Sequence, residues 1–260
     1  MNYAKKSLGQ NFLKDKNIIK KITNLLNLEN KNIIEIGPGN GALTDEIIKK
    51  NPRSIKVIEK DYDLFKTLKN KYNKLKNFKI YNNDILKFDI NKIIENKTII
   101  LGNLPYNISS QIFIKTLKIS KLRFNLEAVI YMFQKELGEK IISKFPSPNY
   151  GRLSILFNLK FDLRKKFLVS SNCFFPKPKV KSLVIYFTPK SEDFYKIKSI
   201  ENLEKITNIL FSNKRKMINK NINKILNKKE IDILGNLNLK LRPADIEPQI
   251  YYKITKLIEK

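Results

Sequence analysis

Short apolar runs alternate along this chain with stretches whose apolar residues recur every three or four positions. Asn32 to Ile36, Ile55 to Ile58, Phe78 to Tyr81, Thr98 to Leu101 and Ala128 to Phe133 read as strands. Lys16 to Leu26, Leu43 to Lys50, Tyr62 to Tyr72 and Ser109 to Leu117 carry helical spacing, the last with a serine available as a cap. Such alternation predicts βαβ units and a parallel sheet, an α/β fold. After Gly151 the rhythm changes. Leu153 to Phe161 and Leu183 to Phe187 read as two strands without a full crossover helix between them, which suits a terminal antiparallel pair. Pro189 and the polar Ser191-Glu192-Asp193 then break the pattern. From about Ile200 the chain reads helical, in three stripes. These are Leu203, Ile206, Ile209 and Leu210; then Met217, Ile218, Ile222, Ile225 and Leu226; then Ile250, Tyr251, Ile254, Leu257 and Ile258 behind Pro248. The expected division is therefore a larger domain over 1–189 and a helical one over 190–260.

Composition narrows the chemistry. The 260 residues include no histidine and one cysteine, Cys173. A Ser-His-Asp triad, a Cys-His pair, a histidine-ligated zinc site and an internal disulfide are all excluded, and no metal is expected. Cys173 reads as a small buried hydrophobe. The formal net charge is +28, from 52 basic and 24 acidic residues, which favours a polyanionic partner such as nucleic acid. Only six of the basic residues are arginine. Lysine, asparagine and isoleucine share A/T-rich codons, so part of the excess reflects nucleotide bias. No secretory signal opens the chain, and no apolar run approaches the roughly 20 residues that span a bilayer. A soluble, cytoplasmic protein that binds no membrane is expected.

Three features carry candidate chemistry. The first is Glu35-Ile36-Gly37-Pro38-Gly39-Asn40-Gly41, a glycine-rich turn between a strand and a helix, where a backbone can approach a nucleoside cofactor closely. Pro38 removes an N–H where a pyrophosphate would want one, and Glu35 adds negative charge beside the loop. Both favour S-adenosylmethionine over NAD. The second is a pair of acids on the next strand ends: Glu59 for ribose hydroxyls and Asp84 for an adenine amino group. The third is Asn103-Leu104-Pro105-Tyr106, at the end of a strand. Asn103 offers a carbonyl acceptor, Pro105 sets the direction of nearby main-chain carbonyls, and Tyr106 offers a ring for stacking. Together they suit a flat base with an exocyclic amino group.

Nine segments in order resemble the small-subunit ribosomal RNA adenine dimethyltransferases. They are Ser7-Leu8-Gly9-Gln10-Asn11-Phe12-Leu13, Glu35-Ile36-Gly37-Pro38-Gly39, Val57-Ile58-Glu59, Asn83-Asp84-Ile85, Asn103-Leu104-Pro105-Tyr106-Asn107-Ile108-Ser109, Phe133-Gln134-Lys135-Glu136, Tyr150-Gly151-Arg152-Leu153-Ser154, Phe174-Phe175-Pro176-Lys177-Pro178-Lys179-Val180 and Asn213-Lys214-Arg215-Lys216. The resemblance covers nearly the whole chain. It implies a Class I S-adenosylmethionine-dependent methyltransferase fold, Rossmann-like with a seven-stranded, mostly parallel sheet, followed by a small α-helical C-terminal domain. By motif match it implies that Asn11, Leu13, Gly37, Glu59, Asp84 and Asn103 line the cofactor site, and that two adjacent adenosines near the 3′ end of small-subunit rRNA each receive two methyl groups on the amino nitrogen. Lys181 and Lys214 depart from the family's common acid and arginine, and both keep or add positive charge.

On this reading Asn103, Pro105 and Tyr106 carry the chemistry. One ring of Phe174 and Phe175 closes over the base. Lys5, Lys6, Lys177, Lys179, Lys214, Arg215 and Lys216 are candidates for phosphate contacts. The partner is small-subunit rRNA within the small ribosomal subunit, and a monomer is expected. A large-subunit rRNA adenine methyltransferase of the antibiotic-resistance type shares the fold and an Asn-Leu/Ile-Pro-Tyr-like motif. A ribosome-assembly factor valued for binding and an NAD dehydrogenase are the other readings, the last disfavoured by Pro38.

Overall fold

A computed structural model describes residue 5 and residues 8–235 and 237–259. Among the described residues, nine strands form. They are β1 (Phe12–Leu13), β2 (Asn32–Ile36), β3 (Ser54–Glu59), β4 (Phe78–Asn82), β5 (Thr98–Asn103), β6 (Leu126–Gln134), β7 (Phe161–Val169), β8 (Phe174–Phe175) and β9 (Ser182–Pro189). Seven of them make one sheet in the order β4-β3-β2-β5-β6-β9-β7. The pairs from β4 to β6 are parallel, and β9 runs antiparallel to β6. β1 and β8 form a separate two-stranded antiparallel ladder, Phe12 opposite Phe175 and Leu13 opposite Phe174.

The central strands are apolar on both faces because helices cover both, as a parallel sheet requires. Ile33, Ile55, Val57, Ile99 and Leu101 lie in one cluster with Leu43 and Ile47 from the helix Ala42–Ile48. Two of the helices between strands begin where a side chain satisfies free N–H groups, whereas Ser109–Leu117 has no side-chain cap, the expected serine donating instead to the Tyr106 carbonyl. Asp15 accepts from the N–H of Asn17 and Ile18 ahead of Lys16–Thr23, and Asp61 does the same for Asp63 and Leu64 ahead of Tyr62–Lys71. The topology reverses between β2 and β5, the two strands reached by chain running in opposite directions across the sheet. In open α/β sheets that reversal marks the ligand crevice at the strands' carboxyl ends.

The chain divides into two compact units. One holds the described residues up to Gly138 together with Leu163–Pro189. The other holds Glu139–Asp162 and the residues from Lys190 onward. Segment 139–162, placed by its sequence position in the larger part, is thus grouped with the C-terminal helices. Within that second unit Tyr252 donates to the Ile155 carbonyl at 2.8 Å, Tyr150 to that of Ile246 at 3.1 Å, and Arg152 pairs with Glu204 at 3.3 Å. No helix among the described residues is long and apolar enough to cross a membrane.

Two sequence expectations need correction. Leu153 to Phe161 is not a strand. Arg152–Lys160 is a helix, opened by Ser154, whose hydroxyl accepts from the Gly151 N–H at 2.9 Å. Ile155, Leu156, Phe157 and Leu159 are all buried, so the helix lacks the polar face that signals a helical period. The strand β7 follows instead, its middle masked by the charged Arg164-Lys165-Lys166. The stripe from Met217 to Leu226 is also not one helix. It holds only the short Asn219–Ile222, with Met217 exposed, Ile222 buried at the end of that helix, and Ile218 and Leu226 buried as loop anchors.

Candidate active site

The ends of β2, β3, β4 and β5 open on one cleft. It is lined by segment 8–13, by 35–40 and Ala42-Leu43 around the glycine turn, by 58–60, by 83–85, and by Asn103, Leu104, Pro105, Asn107 and Ile108. In the turn, Gly37 and Gly39 have φ of 66° and 60°, the left-handed region that side chains disfavour. At Gly39 space forbids one as well, since a Cβ would stand 2.8 Å from the Phe12 ring.

The acids of the cleft differ in their surroundings. Glu59 is 6% exposed; its Oε1 accepts from the Asp61 N–H at 2.8 Å and its Oε2 from the Gly39 N–H at 3.2 Å. Burial raises its pKa, and the backbone N–H groups oppose that rise. Asp84 is held by Lys60 at 2.9 Å and by the Leu86 N–H at 2.9 Å, and the Lys60 ammonium keeps its carboxyl below the ordinary range. Glu35 behaves unlike the free anion that its place beside the loop suggests. It is 1% exposed, accepts from the Thr44 hydroxyl at 2.6 Å, and burial pushes its pKa up to about 7. Its first task is to tie β2 to the following helix.

An N-terminal strap crosses this cleft. Lys5 pairs with Asp61 at 3.0 Å and Asp63 at 2.8 Å, and Gln10 donates to the second oxygen of Asp61 at 3.0 Å. Farther along, the Asn11 carbonyl accepts from Asn103 Nδ2 at 2.8 Å. A Cβ at Gly9 would stand 2.8 Å from Asn107 Oδ1, so the strap lies close against the Asn103–Asn107 turn. Lys5 is thus engaged by carboxylates, which argues against its predicted phosphate contact. Lys6 and Ser7 lie outside the described residues.

The Asn103 turn carries no charge. With its nitrogen committed to Asn11, the Asn103 carbonyl oxygen is left open, accepting no hydrogen bond among the described residues. Leu104 is buried and Pro105 faces the cleft. Tyr106 does not line the cleft. Its hydroxyl meets Ser182 Oγ at 2.6 Å, and its carbonyl accepts from Ser109 Oγ at 3.1 Å.

The structure therefore gathers Asn11, Leu13, Gly37, Glu59, Asp84, Asn103 and Pro105 around one space. It separates the two predicted aromatic rings. Phe174 is 1% exposed within the core beside Leu13, so it cannot close over a base; Phe175 is 61% exposed. Lys177 and Lys179 are exposed on the same segment. Arg215, Lys214 and Lys216 are exposed and belong to the second unit. Of the two residues that hold the strap, Gln10 lies within the first of the nine resembling segments, and Asp61 is marked in the sequence only by its capping position ahead of a helix.

The donor set fits S-adenosylmethionine. Two carboxylates, Glu59 and Asp84, and one paired lysine line the cleft with the buried Glu35 behind them, and the turn's Pro38 offers no N–H; such a lining suits a cationic nucleoside and disfavours a diphosphate.

Comparison with known proteins agrees. The sequence profile described as ribosomal RNA adenine dimethylase matches residues 1–260. A "Ribosomal RNA small subunit methyltransferase A" of Pelagibacter ubique is 45% identical over 257 residues, 98% of this chain and 97% of that protein. Among solved structures, a dimethyladenosine transferase from Plasmodium falciparum superposes with a TM-score of 0.76 at 24% identity, covering 94% of this chain and 95% of that one. The 23S rRNA methyltransferase ErmE gives 0.67 at 22% identity, covering 96% and 100%. These two structures establish the fold, and the profile and the relative establish more: the chain belongs to the ribosomal RNA adenine dimethylase family.

Proposed function

We propose that this protein uses S-adenosylmethionine to dimethylate the amino nitrogens of two adjacent adenosines near the 3′ end of small-subunit rRNA, contributing to assembly of the small subunit. The observation that carries this is the Asn103 amide. Its nitrogen is fixed by the Asn11 carbonyl and its oxygen is open, at the rim of an acidic cleft. The reading includes a monomeric enzyme of the cytoplasm, bound to the small ribosomal subunit.

Bound in the cleft, S-adenosylmethionine would supply an electrophilic methyl group that needs no further activation. Glu59 would accept from its ribose hydroxyls and Asp84 from its adenine amino group, with Asn11, Leu13 and Gly37 forming the walls. The target nitrogen is the harder problem, because its lone pair is delocalised into the base. Asn103 Oδ1 would accept one of its N–H bonds. The Leu104 carbonyl would accept the other, since that of Pro105 already takes the Ile108 N–H at 3.2 Å. Two acceptors draw the nitrogen toward a pyramidal, nucleophilic form. Tyr106 and Phe175 would hold the base by its faces, stacking being worth ~1–3 kcal/mol per base. Lys177, Lys179 and Arg215 would meet phosphates, while Lys5 is engaged by Asp61 and Asp63. Positioning then supplies most of the rate, and the absence of histidine is no obstacle.

The test is methyl transfer from labelled S-adenosylmethionine to small subunits that lack the modification, with large subunits in parallel. Dimethyladenosine in the small-subunit RNA is the expected result. Label confined to the large subunit would move the substrate to the 23S type, and binding without label would leave an assembly role.

A further inference from the structure

Tyr106 is held at both ends by buried serines. Ser109 Oγ donates to its carbonyl at 3.1 Å, and Ser182 Oγ lies 2.6 Å from its phenol oxygen, where either hydroxyl can donate. Both serines are 0% exposed. They differ in where they come from. Ser109 is local, opening the helix Ser109–Leu117 three residues after the tyrosine. Ser182 is remote in sequence and begins β9, opposite Gln134 of β6. The neighbouring Lys135 N–H donates to the Lys181 carbonyl at 3.0 Å, so the ladder continues past Ser182 on the other side. A side chain on a paired strand is a fixed point, whereas Tyr106 sits in the irregular turn after β5. The phenol is also only partly buried, so packing does not enclose the ring on every side.

We infer that Ser182 is a positioning residue for the reaction: its hydroxyl anchors the phenol oxygen of Tyr106 and so fixes where the ring stands for the target adenine to stack on it. The inference rests on the stacking role proposed above. Its physical logic is preorganisation. A ring already anchored at its far end loses little side-chain freedom when the base arrives, and the amino nitrogen then meets Asn103 Oδ1 at one angle.

The inference is tested by a double-mutant cycle in the full chain, with small subunits as substrate. Ser182→Ala and Tyr106→Phe each remove the same hydrogen bond from opposite sides. Each is expected to lower kcat roughly 3- to 10-fold, the worth of one net hydrogen bond, with the Kd for S-adenosylmethionine unchanged. The double variant should lose no more than either single one, and Ser182→Thr should restore turnover. With 13C-labelled tyrosine, the Tyr106 resonance should move to a position averaged over side-chain rotamers in Ser182→Ala. Independent, multiplying losses would overturn the inference, as would wild-type turnover in Ser182→Ala. Tyr106→Phe covers the case in which Ser182→Ala fails to fold. The two readings fail differently. Wild-type turnover in Tyr106→Ala would strike the stacking role itself. Impaired Tyr106→Ala beside unimpaired Ser182→Ala would strike only Ser182.

Discussion

Two stretches of the same sheet edge solve opposite problems. At the ends of β3 and β4 the site is made of carboxylates, Glu59 and Asp84, steadied by backbone N–H groups and by Lys60. At the end of β5 it is made of neutral oxygens, those of Asn103 and the main chain, steadied by Asn11 and two serines. The first suits a cofactor that arrives with positive charge and many donors. The second suits a neutral base whose amino nitrogen must be bent toward attack before it gives up its proton to solvent. The contrast teaches that a methyl-transfer site can separate charge recognition from nucleophile activation, strand by strand.

The sharpest break in that contrast is Asn103→Ala. If the neutral arm activates the nitrogen, turnover should fall about 100-fold or more, the usual cost of deleting one preorganised polar group at a reaction centre. Affinity for S-adenosylmethionine should fall far less, by calorimetric titration. Near-normal turnover would remove Asn103 from the chemistry. The converse experiment is Glu59→Gln. An amide keeps the shape but loses the charge and one acceptor, and the Kd for S-adenosylmethionine should rise about 10- to 100-fold, as for hydrogen bonds to charged groups. Turnover at saturating cofactor should stay within a few-fold of wild type. If Glu59→Gln instead lost turnover at saturation, the division of labour between the two arms would be wrong.

Both arms were readable in the sequence because strand ends in parallel sheets are short and marked. Apolar runs such as Thr98 to Leu101 lead within two residues to a polar one, here Asn103, and that residue faces the crevice. The strap was not readable in the same way. Its hold on Asp61 and Asn103 joins residues about 50 and 90 positions apart, and no local pattern encodes such a meeting. Helix Arg152–Lys160 escaped for a different reason: with none of its residues fully exposed, it shows no period. The two phenylalanines show the limit of composition, because adjacent residues on β8 point to opposite faces, one into the core and one out. Only the pairing of β8 with β1 decides which is which.

Glu35 sharpens the comparison from inside the acidic arm. Burial takes its pKa from an ordinary 4.5 to about 7, so the folded protein binds this proton more tightly than the unfolded chain. Between those two values the folded state holds more protons, and stability must fall as pH rises through that window. Fully ionised above it, the group would cost the fold up to about 3 kcal/mol. Glu35→Gln keeps an acceptor for Thr44 and has nothing to ionise. Cofactor-free protein should therefore gain roughly 5 °C in Tm from this substitution at pH 8 and little at pH 5. An equal gain at both values would mean that the carboxyl does not titrate in the window.

The smallest effect belongs to Lys60, and it tests which arm responds to salt. The Lys60–Asp84 pair is solvent-accessible on the lysine side, with 55% of that side chain exposed. Exposed ion pairs contribute about 0.2–1 kcal/mol and are screened by salt. Asp84 also keeps its Leu86 N–H when the lysine is gone, so it remains oriented toward the cleft. Lys60→Met should therefore weaken S-adenosylmethionine binding by no more than about 5-fold at low salt. The difference from wild type should shrink at high salt, because screening already removes what the mutation removes. The neutral arm gives the control, since the effect of Asn103→Ala on turnover should be the same in both conditions. A salt-independent loss in Lys60→Met would mean that the lysine meets the cofactor directly instead of acting through Asp84. In that case a cation would stand at the floor of a site whose other charges are all negative, and the matching of acidic lining to cationic ligand would have to be redrawn around the ligand's carboxylate.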